Sequence, residues 1–116
     1  MDICFEGIGQ MVATFATEEE LTPGMAVTLK KSGTVGLGDG DDAVCGVTVG
    51  AHRNGAVAVQ IGGVVKVGYS DGSDPEVGCT MLACNGEGKV AVSEKDGAGC
   101  LVLAVDKNEK TVVIKL

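Results

Sequence analysis

Few side chains in this sequence are of the types that carry out catalysis. The single histidine, His52, lies in the polar segment GAHRNG, and a lone imidazole in such a segment is typical of a turn in solvent. The serines lie in polar segments and none occupies a GxSxG elbow; they are Ser32, Ser70, Ser73 and Ser93. Because no motif combines a nucleophile with a base, we predict that the protein is not an enzyme and has no catalytic residues.

Two acidic segments contain oxygen atoms that a hard cation could use. Asp39, Asp41 and Asp42 lie in GDGDDA, but this segment lacks the twelve-residue calcium loop and its terminal Glu. The second segment, SDGSDPE at residues 70–76, has the composition of a turn. We therefore predict hairpin tips in solvent and no metal site.

The cysteines do not form a recognisable ligand or disulfide pattern. There are five, an odd number, and no two are spaced as CxxC, so neither a disulfide framework nor a zinc knuckle is predicted. Cys45 and Cys100 lie in apolar runs, where cysteine behaves as a small buried hydrophobe. With no ligand cluster of another kind, we predict no cofactor.

Length and charge limit the class of protein. A chain of 116 residues is the usual size of one domain. Its net charge of −7 repels phosphate backbones and anionic lipid, so nucleic acid is not a predicted partner. No apolar stretch approaches the roughly 18 residues of a membrane helix, and the first residues do not resemble a secretory signal. We therefore predict no membrane association.

The residues are arranged in short strands separated by Gly, Asn and Asp. In AVAVQI, residues 56–61, Val57, Val59 and Ile61 fall on one face of a strand, which is the alternation of a half-buried β-strand. Similar runs recur along the chain, and helices have almost no room. The predicted strands cover residues 11–15, 25–30, 34–37, 44–49, 56–61, 64–69, 79–84, 89–92, 100–105 and 110–116.

An internal repeat organises these strands. Residues 32–61 align with residues 87–116 without gaps at an offset of 55, and the order of strand, acidic loop, strand, polar turn and strand recurs. The predicted fold class is therefore all-β: a small Gly- and Val-rich sandwich or partly open barrel of two similar β-meanders. Three pairs of valines are expected to share inward positions: Val35 with Val90, Val47 with Val102, and Val57 with Val112.

The N-terminal part has a different composition. We divide the chain into an N-terminal arm and first strand, residues 1–23, and a single β domain, residues 24–116. In TEEELTPG, Thr17 is followed three residues later by Glu20, a capping-box spacing that predicts a single helical turn.

The succession of segments resembles a known family. The order LTPGMAVTL, GDGDDAVCGVTVG, GAVAVQIGGVVKV, VGCTML, GKVAV and GCLVLAV is similar to that of small phage head-decoration proteins and their uncharacterised prophage-encoded relatives. The resemblance spans most of the chain beyond Leu21 and consists of Gly and Val placements. The sequence departs from the family pattern at Met25, where Asp is usual, and in its five cysteines.

The resemblance implies a structural function in the virion. A protein of this family is made in the cytoplasm of the bacterial host, binds the major capsid protein and reinforces the assembled head, often as a homotrimer. The N-terminal arm is too short to bury its own apolar side chains, so we expect it to contact the partner. The expected contact residues are Phe5, Ile8, Met11 and Phe15.

Two other functions fit parts of the sequence. The first is a host-encoded bacterial β-domain that binds a protein or a small ligand. The second is a carrier domain, since lipoyl and biotinyl domains are duplicated β-meanders with a modified Lys at a hairpin tip. Lys95, in VSEKDGAG, lies between two predicted strands, but it lacks the apolar neighbours of the carrier lysine.

Overall fold

The fold is known from a computed structural model that describes residues 10–38, 42–51, 53–70, 72, 74–93 and 98–116. These residues form ten strands and no helix, which confirms the all-β prediction. The ends of the predicted strands are displaced by at most two residues. The strands are β1 (Met11–Thr17), β2 (Ala26–Lys31), β3 (Thr34–Gly36), β4 (Gly46–Thr48), β5 (Ala56–Gly62), β6 (Val64–Gly68), β7 (Gly78–Cys84), β8 (Val90–Val92), β9 (Ala98–Asp106) and β10 (Thr111–Lys115).

Strands β1 to β5, which we call the first unit, form a closed barrel. Their order is β1-β3-β2-β4-β5, and β5 returns to pair antiparallel with β1. The barrel also contains one parallel contact, in which Ala16 pairs with Thr34 and Thr17 pairs with Val35. The closure is short, because among the described residues β1 pairs with β3 only at these two positions.

Strands β6 to β10, the second unit, form a five-stranded sheet in the order β6-β10-β9-β7-β8. A single parallel bridge between Tyr69 and Val90 joins the end of β6 to β8. The first unit, followed from β1 through β5, has the order β1-β5-β4-β2-β3. Each strand of the second unit therefore corresponds to the strand of the first unit whose number is five lower, so that β6 corresponds to β1 and β10 to β5. The parallel contact that closes the first unit also recurs.

The pairing registers of the β1–β5 and β6–β10 ladders agree residue by residue. In the first unit Phe15 lies opposite Val57 on β5. In the second unit Val67 lies opposite Val112 on β10. Partners on β5 and β10 are 55 positions apart, and those on β1 and β6 are 52 apart. The same two offsets relate the parallel pairs of the closures, so one register describes both contacts.

The backbone at the β4–β5 and β9–β10 turns repeats as well. The Thr17 amide donates to the Gly55 carbonyl at 2.9 Å, and the Tyr69 amide donates to the Lys110 carbonyl at 3.0 Å. Gly55 and Lys110 both have positive φ, 75° and 55°. Lys110 therefore adopts the left-handed backbone conformation that Gly55 has in the first unit. This conformation costs conformational free energy in a residue that has a side chain.

The strand order corrects one part of the predicted repeat. Consecutive strands of a meander are neighbours, but β2 lies between β3 and β4, and β7 lies between β8 and β9. Residues 32–61 and 87–116 are thus parts of larger repeated units that also include the strands before them. The prediction of a small sandwich or partly open barrel is confirmed, and the meander order is wrong.

One of the three predicted valine pairs is also wrong. All six valines are buried, but Val47 pairs with Gln60 on the outer face of the first unit, whereas Val102 pairs with Ile114 on the inner face of the second. The cause is a β-bulge in the β9–β10 ladder, which places one extra residue in β9. A shift of one residue exchanges the two faces of a strand, so Thr48 is the structural counterpart of Val102.

Two groups of buried side chains form the core. The first lies inside the first unit, with Phe15, Met25, Leu37 and Ile61 packed against it; it consists of Leu21, Val27, Val35, Val57 and Val59. The second lies inside the second unit; its members from that unit are Val67, Tyr69, Leu82, Cys84, Val90, Cys100, Val102, Val112 and Ile114. Small β-branched side chains predominate in both, as a chain with 3% aromatic residues requires.

The outer face of the first unit covers the second core. Ala26, Val44 and Val47 belong to the first unit, but they pack in the second core. Backbone bonds reinforce this contact: the Ala26 amide donates to the Gly88 carbonyl at 2.8 Å, and the Cys84 amide donates to the Asp42 carbonyl at 2.7 Å. We call this contact the internal interface.

The predicted helical turn after β1 does not form. The Thr17 hydroxyl accepts a hydrogen bond from the Glu19 amide at 3.1 Å, and residues 18–19 form a bend. A threonine side chain can close such a turn two residues ahead, which competes with the three-residue reach of a helix cap. The prediction is wrong because this local bond replaces the cap.

Candidate interaction surfaces

The four predicted contact residues have different surroundings. Met11 is 59% exposed at the start of β1. Phe15, four residues later, is partly buried and packs against the first core. Phe5 and Ile8 lie outside the described residues. The structure therefore places Met11 at the surface and gives Phe15 a packing function, and the partner contact stays a prediction.

The polar residues considered for chemistry are mostly outside the described part of the chain. These residues are His52, Ser73, Lys95, Asp39 and Asp41. Among the residues that are described, no three His, Cys, Asp or Glu side chains are grouped as metal ligands would be. The candidate interaction sites on the described surface are therefore formed by exposed apolar side chains.

An apolar face covers the outside of the β7–β9 pair. Cys79 on β7 lies opposite Leu101 on β9, and Met81 lies opposite Gly99. Val77 immediately precedes β7 and is 69% exposed. The side chains of all these residues except Gly99, which has none, are exposed, and that of Leu101 is 40% exposed. We call the surface formed by Val77, Cys79, Met81 and Leu101 the β7–β9 face.

A second exposed apolar side chain lies on the first unit. Leu29 on β2 is 52% exposed and lies opposite Val35. Beside it is an open pocket of about 250 Å³ with side chains of both charge signs; its lining is Glu18, Glu19, Lys30, Lys31, Thr34, Val35 and Gly38. We call the area around Leu29 the Leu29 surface.

Glu19 fixes one wall of this pocket. Its Oε2 accepts a hydrogen bond from the Leu37 amide at 3.0 Å. The carboxylate occupies the space that a Cβ at position 36 would need, which explains Gly36. Glu18 forms an exposed ion pair with Lys31 at 3.0 Å, and such pairs contribute little to stability. The pocket contains balanced charge and a fixed carboxylate.

A polar cluster connects the segment after β6 with the β9–β10 turn. Tyr69 is buried, and the Lys110 Nζ lies 5.5 Å from the centre of its ring. The same Nζ is 3.5 Å from Asp74 Oδ1. The nearby Tyr69 hydroxyl, and after it the Lys110 charge, hold the pKa of Asp74 below its ordinary value of 3.8.

This shift makes stability depend on acid pH. Because the pKa of Asp74 is lower in the folded protein, its contribution is present above pH 3.8 and is lost as the pH falls through the folded pKa. Tyr69→Phe removes the largest cause of the shift and is expected to raise the Asp74 pKa toward 3.8. A carboxyl titration followed by NMR measures this change. An unaltered Asp74 pKa in the variant would show that the hydroxyl is not the cause.

The described cysteines differ in reactivity. Cys84 and Cys100 are buried, and loss of hydration raises the pKa of the Cys84 thiol to about 12 and raises that of Cys100 as well. A neutral buried thiol is a poor nucleophile and a poor metal ligand. Cys79 is exposed on the β7–β9 face. The sequence predicted that Cys45 and Cys100 are buried. This prediction is confirmed for Cys100, whereas Cys45 is only partly buried.

No sequence pattern directly indicated the β7–β9 face or the Leu29 surface. Leu101 lies in CLVLAV, a continuous apolar run that is typical of a strand covered on both faces. Only the three-dimensional arrangement shows that one of these faces is open in a single chain. Alternation was informative where it occurred, as in β5.

Comparison with known proteins does not extend these observations. The sequence matches no protein-family model, and a search of curated proteins gives no match. Within the described residues, no helix has the length and apolar character needed to cross a membrane. The duplicated all-β fold and its apolar surfaces are therefore the basis for a functional proposal.

Proposed function

We propose that this protein is a structural protein that binds the surface of a phage capsid and stabilises it. In this proposal it acts in the virion as a homo-oligomer, most simply a trimer, and its partner is the major capsid protein. The observation that carries the proposal is the exposed apolar start of β1, at Met11 and Val12, directly after a segment that contains Phe5 and Ile8. Exposed apolar residues on a rigid support are typical of an interaction site.

The pairing of β1 supports attachment through this region. Among the described residues, β1 pairs with β3 only at Ala16 and Thr17. Its other edge pairs with β5 from Met11 to Ala16. The β3-side edge of residues 11–15 therefore has backbone groups to which a partner strand can add. Strand addition supplies main-chain hydrogen bonds, and the exposed side chains fix its register.

The remainder of the molecule suits a reinforcing function. A closed barrel packed on a second sheet is a stiff unit, because close-packed cores transmit strain. The net charge of −7 favours solubility before assembly. Neither property requires catalysis.

The experiment compares variants for binding to empty heads of the cognate phage. Deletion of residues 1–9 leaves every described residue in place, so the variant is expected to fold and to lose head binding by tenfold or more, as roughly 1.4 kcal/mol of lost contact produces. Met11→Glu is expected to weaken binding in the same direction, since it places a charge in an apolar contact. Occupancy is measured by co-sedimentation.

Val49→Glu is the matched control. Val49 is 41% exposed on the first unit and is not on β1, so this variant is expected to bind as the wild type does. Full occupancy by the deletion variant would remove the N-terminal contact from the proposal. Failure of the wild-type protein to bind heads would overturn the capsid function itself.

A further inference from the structure

We propose that a second copy of this chain docks on the β7–β9 face, and that it docks through its own Leu29 surface. The internal interface provides the template for this contact, because it joins the same two parts of the repeated units within one chain. The inference deepens the oligomer part of the proposed function and does not depend on capsid binding.

One side of the internal interface is the outer face of β2 and β4. Ala26 lies opposite Val47 there, and both are buried against the second unit. The equivalent strands of the second unit are β7 and β9, where Cys79 lies opposite Leu101. The equivalence of Val47 and Leu101 follows from their β5 and β10 partners, which are again 55 positions apart.

These equivalent positions differ in exposure. Val47 pairs with Gln60 and is 1% exposed. Leu101 pairs with Lys115 and is 40% exposed. The β7–β9 face is thus the counterpart of the outer face of β2 and β4, which packs against the second unit within the chain. No described residue covers the β7–β9 face in the same way.

The other side of the internal interface contains β7. Cys84 lies opposite Val90, and the first unit covers it so that its side chain is fully buried. The residue 55 positions earlier, Leu29, lies opposite Val35 on the equivalent strands. Leu29 is 52% exposed. Leu29 is therefore the exposed equivalent, in the first unit, of the residue at which the second unit contacts the first.

The chain consequently has two pairs of equivalent surfaces. One pair is joined in the internal interface, and the other, the β7–β9 face and the Leu29 surface, is uncovered in a single chain. A second copy can place its Leu29 surface on the β7–β9 face in the manner of the internal interface. Such a contact joins two different surfaces, so it repeats head to tail and closes into a ring when the rotation allows. The apolar run CLVLAV is then covered on both faces, as its composition indicates.

Charge-introducing variants test this contact. Leu101→Glu and Leu29→Glu each place a carboxylate in one of the two surfaces, and each variant alone is expected to be a monomer by light scattering and sedimentation. Each variant retains one intact surface of the opposite kind. An equimolar mixture is therefore expected to form a one-to-one dimer that does not grow further, while wild-type protein forms the full oligomer.

The control is again Val49→Glu, whose exposure of 41% matches that of Leu101 and which is expected to assemble as the wild type does. Circular dichroism verifies that the variants fold, and Leu101→Ser and Leu29→Ser replace any that does not. A monomeric wild-type protein, or a single variant that keeps the wild-type mass, would overturn the proposal. So would a mixture without dimers, since a contact between two identical surfaces gives no such complementation. No capsid is present in this assay, so its failure leaves head binding unaffected.

Discussion

Deletion of residues 1–17 is expected to abolish cooperative folding. This change removes β1, which pairs with β5 at six positions and closes the barrel against β3. It also removes Phe15 from the first core and leaves β3 and β5 with unpaired edges. The total stability of a domain is only about 5–15 kcal/mol, and loss of a whole strand with its buried face is of that size. Circular dichroism and urea unfolding measure the result.

Deletion of residues 1–9 alone is the control for this experiment. It ends before β1, so we expect a cooperative unfolding transition in that variant. A folded protein after deletion of residues 1–17 would mean that β1 is dispensable and that the closed barrel is not required. The two deletions together separate the contribution of β1 from that of the residues before it.

Leu82→Ala is expected to lower the free energy of unfolding by about 2–5 kcal/mol, the usual cost of truncating a buried leucine. Leu82 is 0% exposed and packs in the second core, which also receives Ala26 and Val47 from the first unit. The cavity therefore weakens both the second unit and the internal interface. Urea unfolding monitored by circular dichroism measures the change.

Leu101→Ala in the same sheet provides the comparison, studied in dilute solution. Leu101 is on the open β7–β9 face, and a truncation at an exposed site is expected to change stability by less than about 1 kcal/mol. Equal effects of the two substitutions would contradict the assignment of Leu82 to the inside and Leu101 to the outside of the second unit.

Local features of the sequence were sufficient to locate the strands. In β5 the inward residues Val57 and Val59 alternate with smaller or polar residues, and that period is a direct consequence of strand geometry. Glycine and asparagine at the turns supply positive φ, as at Asn54 and Gly55. Such signals depend on neighbours in the chain, so they can be read without knowing the fold.

The order of the strands could not be predicted in the same way. The position of β2 between β3 and β4, and the parallel closures at Thr17 and Tyr69, depend on contacts between distant residues. The bulge in β9 adds one residue that an ungapped alignment cannot represent. For this reason the alignment paired Val47 with Val102, although the two side chains lie on opposite faces.

The surfaces were harder to predict than the core. A continuous apolar strand such as β9 contains no information about which face lacks a cover in a single chain. The repeat, once its strand pairing is known, supplies that information by comparing Val47 with Leu101 and Cys84 with Leu29. Exposure at one member of an equivalent pair and burial at the other identifies the open surface.

The arrangement of the internal interface affects synthesis on the ribosome. Each unit is continuous in the chain, so the first barrel can close once β5 has emerged. Its outer apolar residues Ala26, Val44 and Val47 then wait for β7 and β8, which end about 30 residues later. At roughly 5–20 residues per second this interval lasts on the order of seconds. During that time the nascent chain displays the same apolar surface that the finished protein conceals, and neighbouring nascent chains of the same kind can compete for it.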